Sequence, residues 1–154
     1  MTQRRILYIT RAKLSLARAH SQNILRTAQA LGADGRYVVT VCSSAREEKD
    51  AALIAAEKAI SPGIRIDVAD RRRSLVKIIS ANRNEFDVLY FRDPFLLFLA
   101  WCARFLFAKK IVFEVHGKEE WRFGGVVWNA AARVAHGLVF KSRRLAEAYK
   151  SPKP

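Results

Sequence analysis

The stretch DVLYFRDPFLLFLAWCARFLFAKKIVFEVHG, residues 87–117, decides the fold. Residues 87–91 and 109–115 are short, near-continuous apolar runs rich in β-branched and aromatic side chains. Such runs suit strands covered by other elements on both faces. Between them, Pro94 opens an apolar segment reaching Phe107, and its length predicts a helix. Two buried strands joined by a helix of this length make a right-handed βαβ unit with parallel strands.

The same alternation extends in both directions. Upstream, residues 6–10 read as a strand. Residues 17–31 carry Ile24, Leu25, Ala28 and Leu31 at helical spacing before Gly32 and Gly35 end the helix. A strand over 37–42, an Ala-rich helix over 47–60, a Pro62-Gly63 turn, a strand over 64–68 and a helix over 74–82 follow. Downstream, a helix within 128–135 leads to a strand over 137–141 and a last helix over 142–149. The pattern predicts one α/β domain over 1–150, with a single doubly wound, mostly parallel sheet of about six strands. Residues 151–154, SPKP, read as the start of a linker or tail.

Composition bounds the function. At 154 residues, 51% hydrophobic and 27% charged, the chain suits one globular domain. Lys and Arg outnumber Asp and Glu 28 to 14, a formal charge of +14 that favours polyanions such as nucleic acid, phosphorylated substrates or an anionic membrane. The aromatics sit inside apolar runs instead of interleaving with the Arg clusters, which counts against nucleic acid. Cys42 and Cys102 lie in apolar runs without metal-ligand spacing, as free thiols of a reducing compartment do. MTQRRILYIT runs directly into a strand pattern with no signal-peptide architecture, so a cytoplasmic location is expected, peripheral at the inner membrane face if the membrane reading holds.

In open α/β sheets, ligands bind beyond the carboxyl ends of the strands. There the sequence places Arg11, Lys13, Arg18 and His20 after the first strand, Arg92 and Asp93 after the fourth, and Glu114, His116 and Gly117 at the end of the fifth. His116 closes a buried strand and precedes a glycine that permits close approach of a ligand, so it is the leading candidate. His20 suits a cleft group and an ordinary surface histidine equally. Asp93 and Ser142 also suit helix caps, Arg71–Arg73 suit a solvated face, and His136 precedes its strand at the opposite edge. No GxGxxG, GxxxxGK[ST] or GxSxG motif occurs, and metal-ligand spacing is missing. The segment 94–107 is apolar almost all round yet too short to span a bilayer. It suits packing against the sheet. It also suits a monotopic contact with anionic lipid through Phe95, Phe98 and Trp101, flanked by Arg104, Lys109 and Lys110.

Taken in order, RAHSQNILRTAQAL (18–31), DVLYFRDPFLLFLA (87–100), KKIVFEVHG (109–117) and GLVFKSRRLAEAY (137–149) resemble the N-terminal domain of family 4 glycosyltransferases, retaining enzymes of GT-B architecture. The resemblance covers essentially the whole chain. It implies the acceptor-binding half of a retaining transferase acting on a lipid-linked or glycan acceptor. The nucleotide-sugar donor would be held mainly by a second, C-terminal domain or a separate subunit, with no metal and no other cofactor. It further implies that the loop from Arg11 to His20 lies where acceptor and donor phosphate meet, that Arg92 and Asp93 touch the acceptor, and that His116 stands beside the transferred sugar. Arg11, Ala12, Lys13 and Leu14 stand where family members often carry paired glycines, and the family's donor-binding motifs belong to the second domain. The competing reading is a non-catalytic basic module: a membrane anchor, an interaction subunit or a nucleic-acid binder.

Overall fold

The computed structural model describes residues 3–12, 19–33, 35–43, 64–68, 75–81, 83–93, 96–116 and 124–150. The elements are β1 Arg4–Thr10, α1 Ala19–Gly32, β2 Tyr37–Ser43, β3 Ile64–Val68, α2 Leu75–Ala81, β4 Val88–Phe91, α3 Leu97–Phe107, β5 Lys110–Val115, α4 Gly124–Val134, β6 Gly137–Phe140 and α5 Arg143–Lys150. The strand order is β3-β2-β1-β4-β5-β6. The β1–β2, β2–β3 and β5–β6 pairs are parallel. The chain thus steps outward from β1 to β3, returns to β4 and steps outward again to β6, the order of a doubly wound α/β fold. The helix expected over 47–60 and the turn at 62–63 lie outside the described residues. The chain divides into two compact units, Met1–Leu89 and Tyr90–Pro154.

In the first unit, β1 and β2 run in register from Arg4↔Tyr37 to Thr10↔Ser43. Ile6, Leu7, Tyr8 and Ile9 are all buried in succession, so both faces of β1 are covered. Helix α1 buries Ile24, Leu25 and Ala28, the stripe its spacing predicts. Asp87 fixes the approach to β4. Its carboxylate accepts the Arg5 N–H at 2.7 Å, and its own N–H donates to the Arg5 carbonyl at 2.9 Å.

In the second unit, Phe91 of β4 stacks on Phe113 of β5 with centroids 5.3 Å apart. Phe113 in turn meets Trp128 of α4 edge-on at 6.1 Å. The Arg104 guanidinium of α3 donates from Nη1 to the carbonyls of Arg133 and Val134, at 2.9 and 2.6 Å, satisfying acceptors left open at the end of α4. Helix α3 stops at Ala108, a non-glycine residue at φ 51°, ψ 35°, and the Lys109 N–H closes back on the Ala103 carbonyl at 3.2 Å. His136 clamps β6 to β5. Its Nδ1 accepts the Ile111 N–H at 3.0 Å while its own N–H donates to the Ile111 carbonyl at 2.7 Å.

Some element ends differ from the sequence expectation. Helix α4 begins at Gly124, not within 128–135, because a Gly124-Gly125 pair of low helix propensity conceals its first turn. Helix α3 begins at Leu97, not at 94, with Leu96 at its N-cap. Ser142 caps α5, its Oγ accepting the Leu145 N–H at 3.2 Å. The N-terminus of α3 has no side-chain cap, and Asp93 meets it through its backbone carbonyl, which accepts the Leu96 N–H at 3.1 Å. Neither cysteine forms a disulfide; Cys42 is buried and Cys102 half-buried.

Two outcomes are expected. Left-handed backbone costs a β-carbon-bearing residue about 1–2 kcal/mol, so Ala108→Gly should raise stability by up to about 1 kcal/mol in urea unfolding. Partial burial, then the charges of Arg104 and Lys110, hold His136 below the ordinary histidine pKa. Its stabilising contribution is therefore complete above pH ~6.5 and is lost as pH falls from there toward the folded value. His136→Gln, which keeps an acceptor but does not titrate, should flatten that part of the stability profile.

Candidate functional site

Every second residue of a strand shares a face, so Tyr90 of β4 lies opposite Phe91 and Glu114 of β5 opposite Phe113, while Arg92 and His116 directly follow the two strands. The Phe face packs on α4. The other face gathers polar groups. Tyr90, Arg92 and Glu114 are only 2%, 6% and 5% exposed. The Tyr90 side chain lies close enough to Glu114 to feel its charge. Burial, then the neighbouring Glu114 carboxylate, push the phenol far above its ordinary pKa, with Arg92 acting the other way. His116 Nε2 stands 3.1 Å from Glu114 Oε1, with 21% of the imidazole side chain exposed.

This arrangement has a chemical consequence. A His116 whose Nε2 faces the carboxylate leaves Nδ1 as the nitrogen available to a ligand. Glu114 stands beside the ring, while Arg92 supplies a positive charge in the same buried layer. The group can orient a polar ligand at the carboxyl ends of β4 and β5. Asp93, half-buried, follows Arg92 at the same strand end.

In the first unit, Arg11 and His20 are both exposed. The start of the loop between them is pinned at Ala12. Its N–H donates to Thr10 Oγ1 at 3.1 Å, and its carbonyl accepts the Ser43 hydroxyl at 2.7 Å. Thr10 and Ser43 are register partners at the ends of β1 and β2, and both are buried. Lys13, Arg18, Phe95 and Gly117 lie outside the described residues, as do Arg71–Arg73. Of the other candidates, Phe98 and Trp101 are exposed on α3, Lys109 is half-buried, Lys110 is exposed, and Arg104 is committed to the end of α4.

The sequence reading passed over Tyr90, Thr10 and Ser43. Tyr90 looked like one more aromatic in an apolar run, yet its spacing of two from Arg92 was a usable signal. Thr10 and Ser43 became meaningful only once β1 and β2 were paired in register.

No protein-family model and no curated protein matches this sequence. Solved structures do share its fold. The chain is similar to Anabaena Alr3699/HepE in complex with UDP-glucose, with a TM-score of 0.62 and 17% identity over 94% of this chain and 39% of HepE. HepE with UDP and glucose gives 0.61 and 15% identity over 96% of this chain and 40% of HepE. A protein of unknown function from Vibrio parahaemolyticus, VPA0982, matches at 0.52 and 7% identity, covering 93% of this chain and 95% of its own. The chain thus spans about two fifths of the length of HepE. At these identities the likeness is one of fold alone.

The Tyr90–Glu114 pair makes a direct test. Tyr90→Phe should cost about 0.5–1.5 kcal/mol and Glu114→Gln about 1–3 kcal/mol in chemical unfolding. The double variant should cost less than their sum, since the two neighbouring groups are coupled in one buried layer.

Proposed function

We propose that this chain is the acceptor-binding, N-terminal domain of a retaining glycosyltransferase. The observation that carries the reading is a fold match spanning nearly all of this chain and two fifths of a protein whose structures hold UDP-glucose, UDP and glucose. A polar group at the ends of adjacent strands supports it, because that is where open α/β sheets hold their ligands. A nucleotide-sugar donor bound by a second domain or subunit would complete the site.

In this proposal each residue has a distinct task. Arg92 and Asp93 bind acceptor hydroxyls. His116, its ring held by Glu114, accepts a hydrogen bond from the transferred sugar through Nδ1, and Gly117 gives it room. Arg11, Lys13 and Arg18, which follow β1 in sequence, and His20, in the first turn of α1, supply the cationic side that meets the donor phosphate. Transfer then relies on fixed charges and dipoles that stabilise developing charge, with no proton relay or metal assigned.

The test uses the chain alone. Supplied with labelled nucleotide sugars and with lipid-linked or glycan acceptors, it should bind an acceptor but turn none over. His116→Ala, at a partly exposed position, should weaken that binding by roughly tenfold while the fold persists. Efficient turnover by the chain alone, or tight UDP-glucose binding with no affinity for any acceptor, would overturn the reading.

A further inference from the structure

Helix α3 has two faces of opposite use. Leu99, Ala100 and Ala103 are buried, while Phe98, Trp101, Phe105 and Leu106 are 75%, 46%, 59% and 68% exposed. Those four make up most of the large exposed hydrophobics among the described residues. Three of them form a ladder along the helix. Phe98 stacks on Trp101 with centroids 6.4 Å apart, and Trp101 meets Phe105 at 5.2 Å. The Arg104 guanidinium lies 5.4 Å from the Phe105 ring, so the ladder is braced by a side chain already fixed to α4. Contiguous aromatic surface of this kind marks an interaction site.

Charge selects the partner. The sequence contains no Asp or Glu from Pro94 to Phe113, nor from Trp121 to Ala146, so the helices α3 and α4 carry cations alone. Lys109 and the exposed Lys110 follow the ladder, and the exposed Arg133 closes α4. No described helix is long and apolar enough to cross a membrane, and eleven residues of α3 reach only about 16 Å. A short helix with an aromatic stripe and cations as its own charged residues suits the headgroup–acyl boundary of an anionic bilayer. There, Trp and Phe bury their rings while Lys and Arg meet phosphate.

We propose that the Phe98–Trp101–Phe105 face of α3 docks this protein on anionic phospholipid membranes, with the helix lying in the plane of the surface. The inference stands apart from the transferase reading, since it concerns a helix face and not the strand ends.

Sedimentation with vesicles is the test. The chain should partition onto phosphatidylcholine vesicles containing about 30% phosphatidylglycerol, and at least roughly tenfold less onto phosphatidylcholine alone. Raising salt from about 0.05 to 0.5 M should weaken the anionic binding severalfold. Phe98→Ser with Phe105→Ser should lower it by roughly tenfold or more, and Lys109→Gln with Lys110→Gln should lower it and reduce its salt dependence. If the serine variant loses its far-ultraviolet spectrum, quenching of wild-type tryptophan fluorescence by brominated lipid decides in its place, with Trp101→Phe as the control expected to lose the signal. Equal binding to both vesicle types would overturn the proposal. So would binding unaffected by the phenylalanine changes, absence of Trp101 quenching, or self-association that the serine variant abolishes while vesicle binding persists.

Discussion

The second unit is organised around one buried carboxylate. Glu114 sits near the end of a strand whose neighbours are almost entirely apolar, where an isolated charge would cost several kcal/mol. The cost is offset locally. His116 Nε2 approaches at 3.1 Å, Tyr90 lies alongside, and the buried Arg92 places a cation in the same layer. The layer is a cluster of coupled polar groups in a low-dielectric setting, so a change at one is felt at the others. Its geometry follows from the pleat. Tyr90 of β4 and Glu114 of β5 share one face, while Phe91 and Phe113 turn to the opposite face and stack.

This explains why a polar site coexists with a firm core. The aromatic contacts of Phe113 with Phe91 and Trp128 fix the spacing of β4, β5 and α4, and the carboxylate layer then inherits that spacing. In the first unit the equivalent role falls to hydroxyls. Thr10 and Ser43 end paired strands and hold Ala12 from both sides, so the loop leaves the sheet in one direction. The Asp87 carboxylate and N–H do the same for the segment entering β4.

Much of the architecture was legible in the sequence because it rests on period and run length. Parallel strands covered on both faces are short apolar runs, and among the described residues four helices lie between strands, with a fifth after the last, in the expected order. What escaped rests on local exceptions. The end of α3 at Phe107 was read from the apolar run, but that Ala108 stops it in a conformation usually given to glycine was not. Gly124 and Gly125 open α4 although glycine weakens helices, because packing of Trp128 and Ala131 outweighs propensity there. His116 stood out as a titratable residue closing a strand, and its partner Glu114 was within reach of the same reasoning. Tyr90 was not, since a buried tyrosine's hydroxyl partner depends on which strand lies beside it. Arg104 shows the converse error of emphasis: a cation beside an apolar run suggested a lipid headgroup, whereas its guanidinium is held by the carbonyls at the end of α4.

The βαβ unit that decided the fold also relates the two surfaces of the second unit. Its strands end in the Glu114–His116 layer, and its connecting helix carries the exposed aromatic ladder. A crossover helix runs antiparallel to the strands it joins, so the Phe98 end of α3 lies toward the carboxyl ends of β4 and β5, and Lys109 lies toward their starts. A helix resting in the plane of a surface therefore sets these two strands nearly parallel to that surface. The carboxylate layer would then open sideways, along the membrane instead of into it. That orientation suits a polar group carried above a lipid headgroup, and it keeps the buried Glu114 away from hydrocarbon, where its charge could not be sustained. The strand ends and the helix face thus make compatible demands, imposed by the same stretch of chain, residues 87–117.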